Sequence, residues 1–402
     1  MKRALAATAA SLALGAFAAE DDTDFAASKG SVAEEQLHAR LKAAIRTIPG
    51  TDTQYLIGGY LQLDALATRK KQDGDEQNTF IVSTTPFGPA DRDYVLSVRQ
   101  STFNSLTRTP TSIGEVWTRL DVNLFPLDGK TALNLNQLYA RLGDWLLIGK
   151  TYSTFMDEDA LPTTLDYNGP SGVTFVRQWL ARGSIPFGSG WSLAASVEQS
   201  QADLEAAGAL FSVRTEARRP DLAARVRYDG DFGHVQLAGL SRSIDVNVES
   251  PLGTRERHVN GAGVSLSGSL NVFGARSFLW QAVTGKGVGR YFNDPLSSTG
   301  VALGSDARLE LVRSSGLTLY YQHKWAPDWM TVAGASTLWV STDGFRQPDE
   351  LRRVVYASAN LIHRLTPTLI VGAELLWGEA TRVDGTSATN ARVQLSVRYL
   401  VF

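Results

Sequence analysis

From Tyr55 to Phe402 the chain is written in short stretches that alternate polar and apolar residues, and the last of them shows this most clearly. In Arg392-Val393-Gln394-Leu395-Ser396-Val397-Arg398-Tyr399 the side chains take strict turns. A period of two predicts a β-strand with one wet face and one apolar face. In the third such stretch Val116, Thr118, Leu120, Val122 and Leu124 share one face, and Trp117, Arg119, Asp121 and Asn123 the other. The second sets Leu96 and Val98 against Ser97, Arg99 and Ser101, and the eighth sets Val226 and Tyr228 against Arg225 and Arg227.

The N-terminus tells where such strands would fold. Met1-Lys2-Arg3 is basic, Ala4 to Phe17 is apolar, and Ala16-Phe17-Ala18 fits a cleavage site. Residues 1–18 therefore read as a secretory signal peptide, with a buried N-terminal helix as the competing reading. After it there is no run of ~18 apolar residues, so no membrane helix is expected. A closed β-barrel is then the way left to cross a bilayer, because its backbone satisfies its own hydrogen bonds. Ending on Phe402 is a mark of bacterial outer-membrane barrels. Alternating lipid and lumen faces also explain a mean hydropathy slightly below zero. A net charge of −2 gives no case for nucleic acid, and the absence of cysteine is neutral evidence. A soluble solenoid or sandwich is the competing fold, but no short repeat is visible.

Two parts follow the signal. Residues 19–50 form a polar, alanine-rich segment in which Leu37, Leu41, Ala44 and Ile48 are spaced 4-3-4, a short heptad-like helix that Pro49-Gly50 ends. It pairs in a trimer or is a periplasmic tail; both readings stay open. Residues 51–402 form the barrel. Strands are expected near 55–69, 92–106, 114–125, 131–141, 144–151, 173–183, 190–200, 221–229, 233–247, 257–271, 275–286, 305–325, 328–341, 352–364, 367–380 and 389–402. Their connections alternate long and short, as outer loops and periplasmic turns do. Reading Arg313-Ser314-Ser315-Gly316 as a turn would break that alternation, so 305–325 is read as one strand kinked near Gly316. The expectation is an all-β fold, a 16-stranded antiparallel transmembrane β-barrel with a short N-terminal periplasmic helix. Trp325, Trp329, Trp339 and Trp377 near strand ends suit the two aromatic girdles.

The connection 151–172 combines the acids Asp157, Glu158, Asp159 and Asp166 with Phe155, Met156, Leu161 and Leu165. Apolar anchors in a loop predict that it folds inward against the wall. The tract Gly149-Lys150-Thr151-Tyr152-Ser153-Thr154-Phe155-Met156-Asp157, then Pro162 to Pro170, then Phe175-Val176-Arg177-Gln178, resembles the DcaP-like porin family. Ile57-Gly58-Gly59-Tyr60-Leu61-Gln62-Leu63-Asp64 and Arg99-Gln100-Ser101 carry the same resemblance. It implies a trimeric, 16-stranded outer-membrane porin with an N-terminal periplasmic coiled coil, taking up small carboxylates including aromatic diacids. Two features depart from the pattern: the N-terminal helix is short, and Tyr399 sits one residue off the usual spacing before the terminal Phe402.

Selectivity in a pore comes from charges at its narrowest point. The wall candidates are Arg99, Arg119, Arg141, Arg177, Arg182, Arg225, Arg227, Arg392 and Arg398, whose guanidinium forks match carboxylates. The loop acids would face them and set up a transverse field. The competing reading, that some charges only tie the loop to the wall, is strongest for Arg141 and Arg182. No cofactor is expected; the expected partners are outer-membrane lipid, two further copies in a homotrimer, and small carboxylate solutes. A general or sugar-specific porin, with Tyr139, Tyr152 and Trp179 as an aromatic rail, is the alternative. An enzyme is disfavoured: His38, His234, His258, His323 and His363 are scattered, and no metal or nucleophile motif appears.

Overall fold

The computed structural model describes residues 42–72, 79–125, 131–200, 205–206, 212–216, 218–250, 253–272, 276–294, 301–303, 309–341 and 346–401. Sixteen antiparallel strands close into a barrel. They are β1 (Gln54–Thr68), β2 (Asp93–Ser97 and Thr102–Thr111), β3 (Gly114–Asn123), β4 (Asn134–Leu142), β5 (Leu146–Tyr152), β6 (Arg177–Phe187), β7 (Trp191–Glu198) and β8 (Asp221–Gly230). The rest are β9 (Gly233–Ser250), β10 (Gly253–Asn271), β11 (Arg276–Lys286), β12 (Arg313–Ala326), β13 (Trp329–Val340), β14 (Leu351–Thr366), β15 (Leu369–Arg382) and β16 (Ser387–Val401). Each strand pairs with the next, and β1 pairs with β16, so the sheet has no open edge.

The alternation assigns the faces as the sequence does. Leu96, Leu120, Val393, Leu395 and Tyr399 are exposed on the outside, while Arg119, Asp121, Arg392 and Arg398 are buried on the inside. Trp325, Trp329, Trp339 and Trp377 all face outward. The inner face meets chain rather than water over much of its area. Segments 79–85, 153–176 and 287–294 turn into the barrel, and Phe80, Val82, Phe155, Leu165, Tyr291 and Phe292 pack against wall residues such as Met330, Leu338 and Tyr356 in one buried cluster. A fully buried aromatic ring of this kind contributes about 2–3 kcal/mol.

Some expectations change. The strand expected over 305–325 begins at Arg313 and keeps register through Gly316, which pairs with Val283 and Leu338; the shift lies at Lys324/Ala326 instead. Val301–Leu303 and Leu309–Leu311 form a separate small sheet with Glu205–Ala206. Gly316 is there for close approach: a Cβ would stand 2.2 Å from the Gly172 carbonyl oxygen. The strand expected from 173 starts at Arg177, because 173–176 still belong to the infolded segment. The second strand is interrupted at 98–101, where Ser101 Oγ accepts from the Gln62 N–H at 3.0 Å. Ser212–Glu216, expected within a loop, pairs with β9. Of the N-terminal helix only residues 42–44 are described, as a single helical turn, and Ile48 lies beyond it in an exposed stretch. Leu37, Leu41, the signal segment and Phe402 lie outside the described residues.

Candidate functional site

The infolded segment 153–176 is the third long connection, and it crosses the whole lumen. At its root Glu198 on β7 accepts from Ser153 Oγ (2.6 Å), the Thr154 N–H (2.8 Å) and Gln178 Nε2 (2.6 Å). Next, Asp157 reaches β9 and β10: it accepts from Ser267 Oγ at 2.7 Å and lies 2.9 Å from His234 Nε2. On the opposite wall Glu374 on β15 accepts from the N–H groups of Leu165 (2.9 Å) and Asp166 (2.7 Å). The Leu165 carbonyl accepts from Gln100 and Gln394, and the Thr163 carbonyl from Asn360. The return passes Gly172 over Gly316 and ends where Gln281 Oε1 accepts from the Thr174 N–H at 2.7 Å. Backbone polar groups of an irregular segment must be satisfied when buried, and these wall side chains do so.

The sequence-derived arginines divide into two sets. Arg392 and Arg398 brace the filled side. Arg392 donates to Thr68 Oγ1 (2.8 Å) and Gln72 Oε1 (3.2 Å) and lies 4.0 Å from Asp166; Arg398 donates to Gln62 Oε1 (2.7 Å) and stacks over Tyr60. Arg99 stacks over Phe125, 4.1 Å from its centroid. Arg119 pairs with Asp121 at 2.6 Å. Arg177 opens β6 with the parity of outward Trp179. At this strand end it leaves the regular wall, donating to Tyr152 Oη and Asn136 Oδ1, each at 2.9 Å.

The second set is Arg141, Arg182, Arg225 and Arg227, on β4, β6 and β8. Arg182 donates to Thr154 Oγ1 (2.7 Å) and the Tyr152 carbonyl, so it ties the loop. Arg141 lies 3.6 Å from Asp144 near the short turn. Arg227 pairs with Asp159 (2.7 Å), Asp157 (3.3 Å) and Asp229 (2.7 Å). Arg225 is half-buried and makes no hydrogen bond or close ion pair among the described residues, while Glu158, Asp157 and Asp159 act on it through space. The acidic triplet therefore lies against the arginine wall, bonded to it in part, rather than across open water from it. Asp166 sits apart, buried on the filled side, accepting from the N–H groups of Phe80 and Gly169, each at 3.0 Å.

The partly open lumenal side chains gather on this wall: Tyr139, Arg225 and Arg227, facing the exposed Glu158 and Asp159, with Arg141 and Leu147 toward the short turn. On β9–β16 the same face is sealed; Gln236, Tyr320, Tyr356 and Gln394 are all 0% exposed. A second opening, a cavity of about 110 Å³, lies within the infolded segment beside Tyr60, Gln100, Tyr167, Phe175 and Arg177. The three aromatics proposed as a sugar rail do not form one, since Tyr152 is 1% exposed and Trp179 faces out. Sequence reasoning missed Glu198, Glu374 and His234. The signal available was an acid or imidazole alone on an inward strand position, and nothing in one strand told which position met the loop.

Comparison with known proteins fits this architecture. A family model described as porin subfamily matches residues 47–391. The chain belongs to the porin subfamily. In fold this porin is similar to the outer membrane channel DcaP of Acinetobacter baumannii, with TM-score 0.76, 17% identity, and coverage of 89% of this chain and 99% of that one. It is also similar to an anion-selective porin from Comamonas acidovorans (TM-score 0.56, 10% identity, 87% and 100% covered). A third likeness is to OmpT, an outer membrane protein of Vibrio cholerae (0.53, 10%, 88% and 100%). No curated protein matches. The porin is thus an outer-membrane channel built as a closed barrel, and its family and fold are those of a channel rather than an enzyme.

Proposed function

We propose that this porin passes small anionic solutes by passive diffusion, with dicarboxylates and aromatic carboxylates as its preferred class. The observation that carries the reading is Arg225. It is an arginine on the open wall with no hydrogen bond or close ion pair among the described residues, flanked by Arg182 and Arg227 and within the field of the loop acids. A solute carboxylate can take the bidentate geometry that no protein acid occupies there. Loop acids beside it keep the site weak, as conduction requires. Arg99, Arg119, Arg141, Arg177, Arg392 and Arg398 contribute positive potential at longer range, and Asp166 holds the loop. The anion-selective porin from Comamonas acidovorans supports the same class by likeness of fold. We further infer a homotrimer, supported by the trimer form of Vibrio cholerae OmpT, with residues 1–18 removed on export and 19–50 in the periplasm.

Reversal potentials in a planar bilayer under a KCl gradient test this, with and without added diacids. Anion preference and concentration-dependent block by a diacid are expected. Cation preference with no block by any diacid would overturn the reading.

A further inference from the structure

The outer surface carries a charge arrangement that permeation does not use. On β13, Trp329 and Trp339 both face outward, ten positions apart. At ~3.3 Å per residue and a tilt of ~40° that separation is roughly 25 Å of height, the thickness of the apolar band of such barrels. Between these levels the neighbouring strand β12 presents Leu317 and Leu319, 50% and 56% exposed. Just beyond Trp339, at the long-loop end, the apolar band stops and Lys286 on β11 stands directly opposite Arg313 on β12. Both are exposed, and neither makes a hydrogen bond or ion pair with its side chain among the described residues.

Side chains directly opposite in an antiparallel pair are about 5 Å apart at Cβ, and like charges there repel. The next charged outward position at this height shows the ordinary solution, since Arg353 on β14 pairs with Glu379 on β15 at 2.7 Å. Among the described residues Lys286 and Arg313 have no such acid. One step toward the membrane, Thr284 and Ser315 set their hydroxyls 2.8 Å apart, and Trp339 lies opposite Ser315. Two cations over two hydroxyls form a binding set for a phosphate, with the guanidinium as fork and the ammonium as point charge. The leucines beneath supply a surface for acyl chains.

We propose that Lys286 and Arg313, with Thr284, Ser315 and Trp339, bind the phosphate of a lipid headgroup in the outer leaflet. The anion relieves the repulsion that the bare pair imposes. The site stands on the membrane placement of the barrel and is independent of which solute the pore passes.

The test uses the full-length porin in detergent, with native mass spectrometry and thermal unfolding in the presence of bisphosphorylated lipid A, its dephosphorylated form, or inorganic phosphate. Lipid A is expected to remain bound and raise the unfolding midpoint, with the other two probes weaker by tenfold or more. Lys286→Glu sets an acid opposite Arg313. It should raise the lipid-free midpoint while lowering lipid A affinity at least tenfold. Wild-type lipid A binding by the Lys286→Ala/Arg313→Ala double variant would overturn the site. So would a lower lipid-free midpoint in that variant, which would make the cations braces of the protein. Equal binding of inorganic phosphate and lipid A would overturn the lipid as its occupant.

Discussion

The wall of β9–β16 and the wall of β4–β8 belong to one sheet and face one lumen, yet they meet opposite surroundings. On the first, wall residues such as Met330, Leu338 and Ile362 pack against the infolded segments as in the interior of a soluble protein. On the second, arginines and Tyr139 keep partial contact with water beside the loop acids. The difference teaches that an arginine on the lumenal face has no fixed role. Arg392 is a brace because the segments around Phe80 and Asp166 cover it, whereas Arg225 stays half-buried on the open wall, which is why it is proposed to meet solute.

The comparison breaks most completely if the filled side is emptied. Glu374→Ala leaves the N–H groups of Leu165 and Asp166 without their acceptor, at ~1–3 kcal/mol each. The loop should detach while the barrel persists, seen as a several-fold rise in single-channel conductance and faster proteolysis between 153 and 176. Arg225→Glu sharpens the comparison from the open side. Anion preference should turn to cation preference in reversal-potential measurements with little change in unfolding midpoint. Arg392→Gln should do the reverse, lowering the midpoint by the few degrees expected of a lost buried charge contact while ion selectivity stays within twofold.

The smallest effect is that of pH. Burial pushes the Asp166 carboxyl above its ordinary 3.8, against the pull of Arg392 and the N–H groups of Gly169 and Phe80. At Asp157 burial also works upward, but the His234 hydrogen bond and charge, Arg227 and Ser267 outweigh it and hold the carboxyl below 3.8. The signs therefore oppose. As pH falls, the Asp166 end of the closed loop gains stability first. The Asp157 anchor, whose contribution is present above 3.8, is lost only as pH passes through its lowered value. Conductance should thus stay steady from neutral pH through the usual carboxylate range and rise only in stronger acid. Asp157→Asn should be leakier at neutral pH and should lack that acid step.

The strands were legible because lipid imposes a strict period of two on their outer face. β3, β8 and β16 showed it best, since their inner faces are polar. On β13–β15 the signal fades: Leu375 faces out and Leu376 faces in, and both are apolar. That loss of amphipathicity is itself the imprint of the infolded segments, and it was open to reading only once the partner surface was known. The loop was legible from Phe155, Met156 and Leu165, which a solvated loop does not need. Its anchors were not, because Glu198 and Glu374 are single residues whose meaning depends on contacts far away in sequence. Likewise Gly316 looked like a kink in one strand, whereas it makes room for Gly172.

The open wall contains β5 and β7, at 7 and 8 residues among the shortest in the barrel, against 18 and 19 in β9 and β10. Shorter strands make a lower wall, so on the proposed reading a solute moving along it passes the arginines over a short length. In any pore the narrowest stretch carries most of the electrical resistance, and with it most of an applied voltage. A charge in such a stretch is weighted accordingly, so under the proposed function Arg225 alone is expected to set the ion preference of a chain whose net charge is only −2.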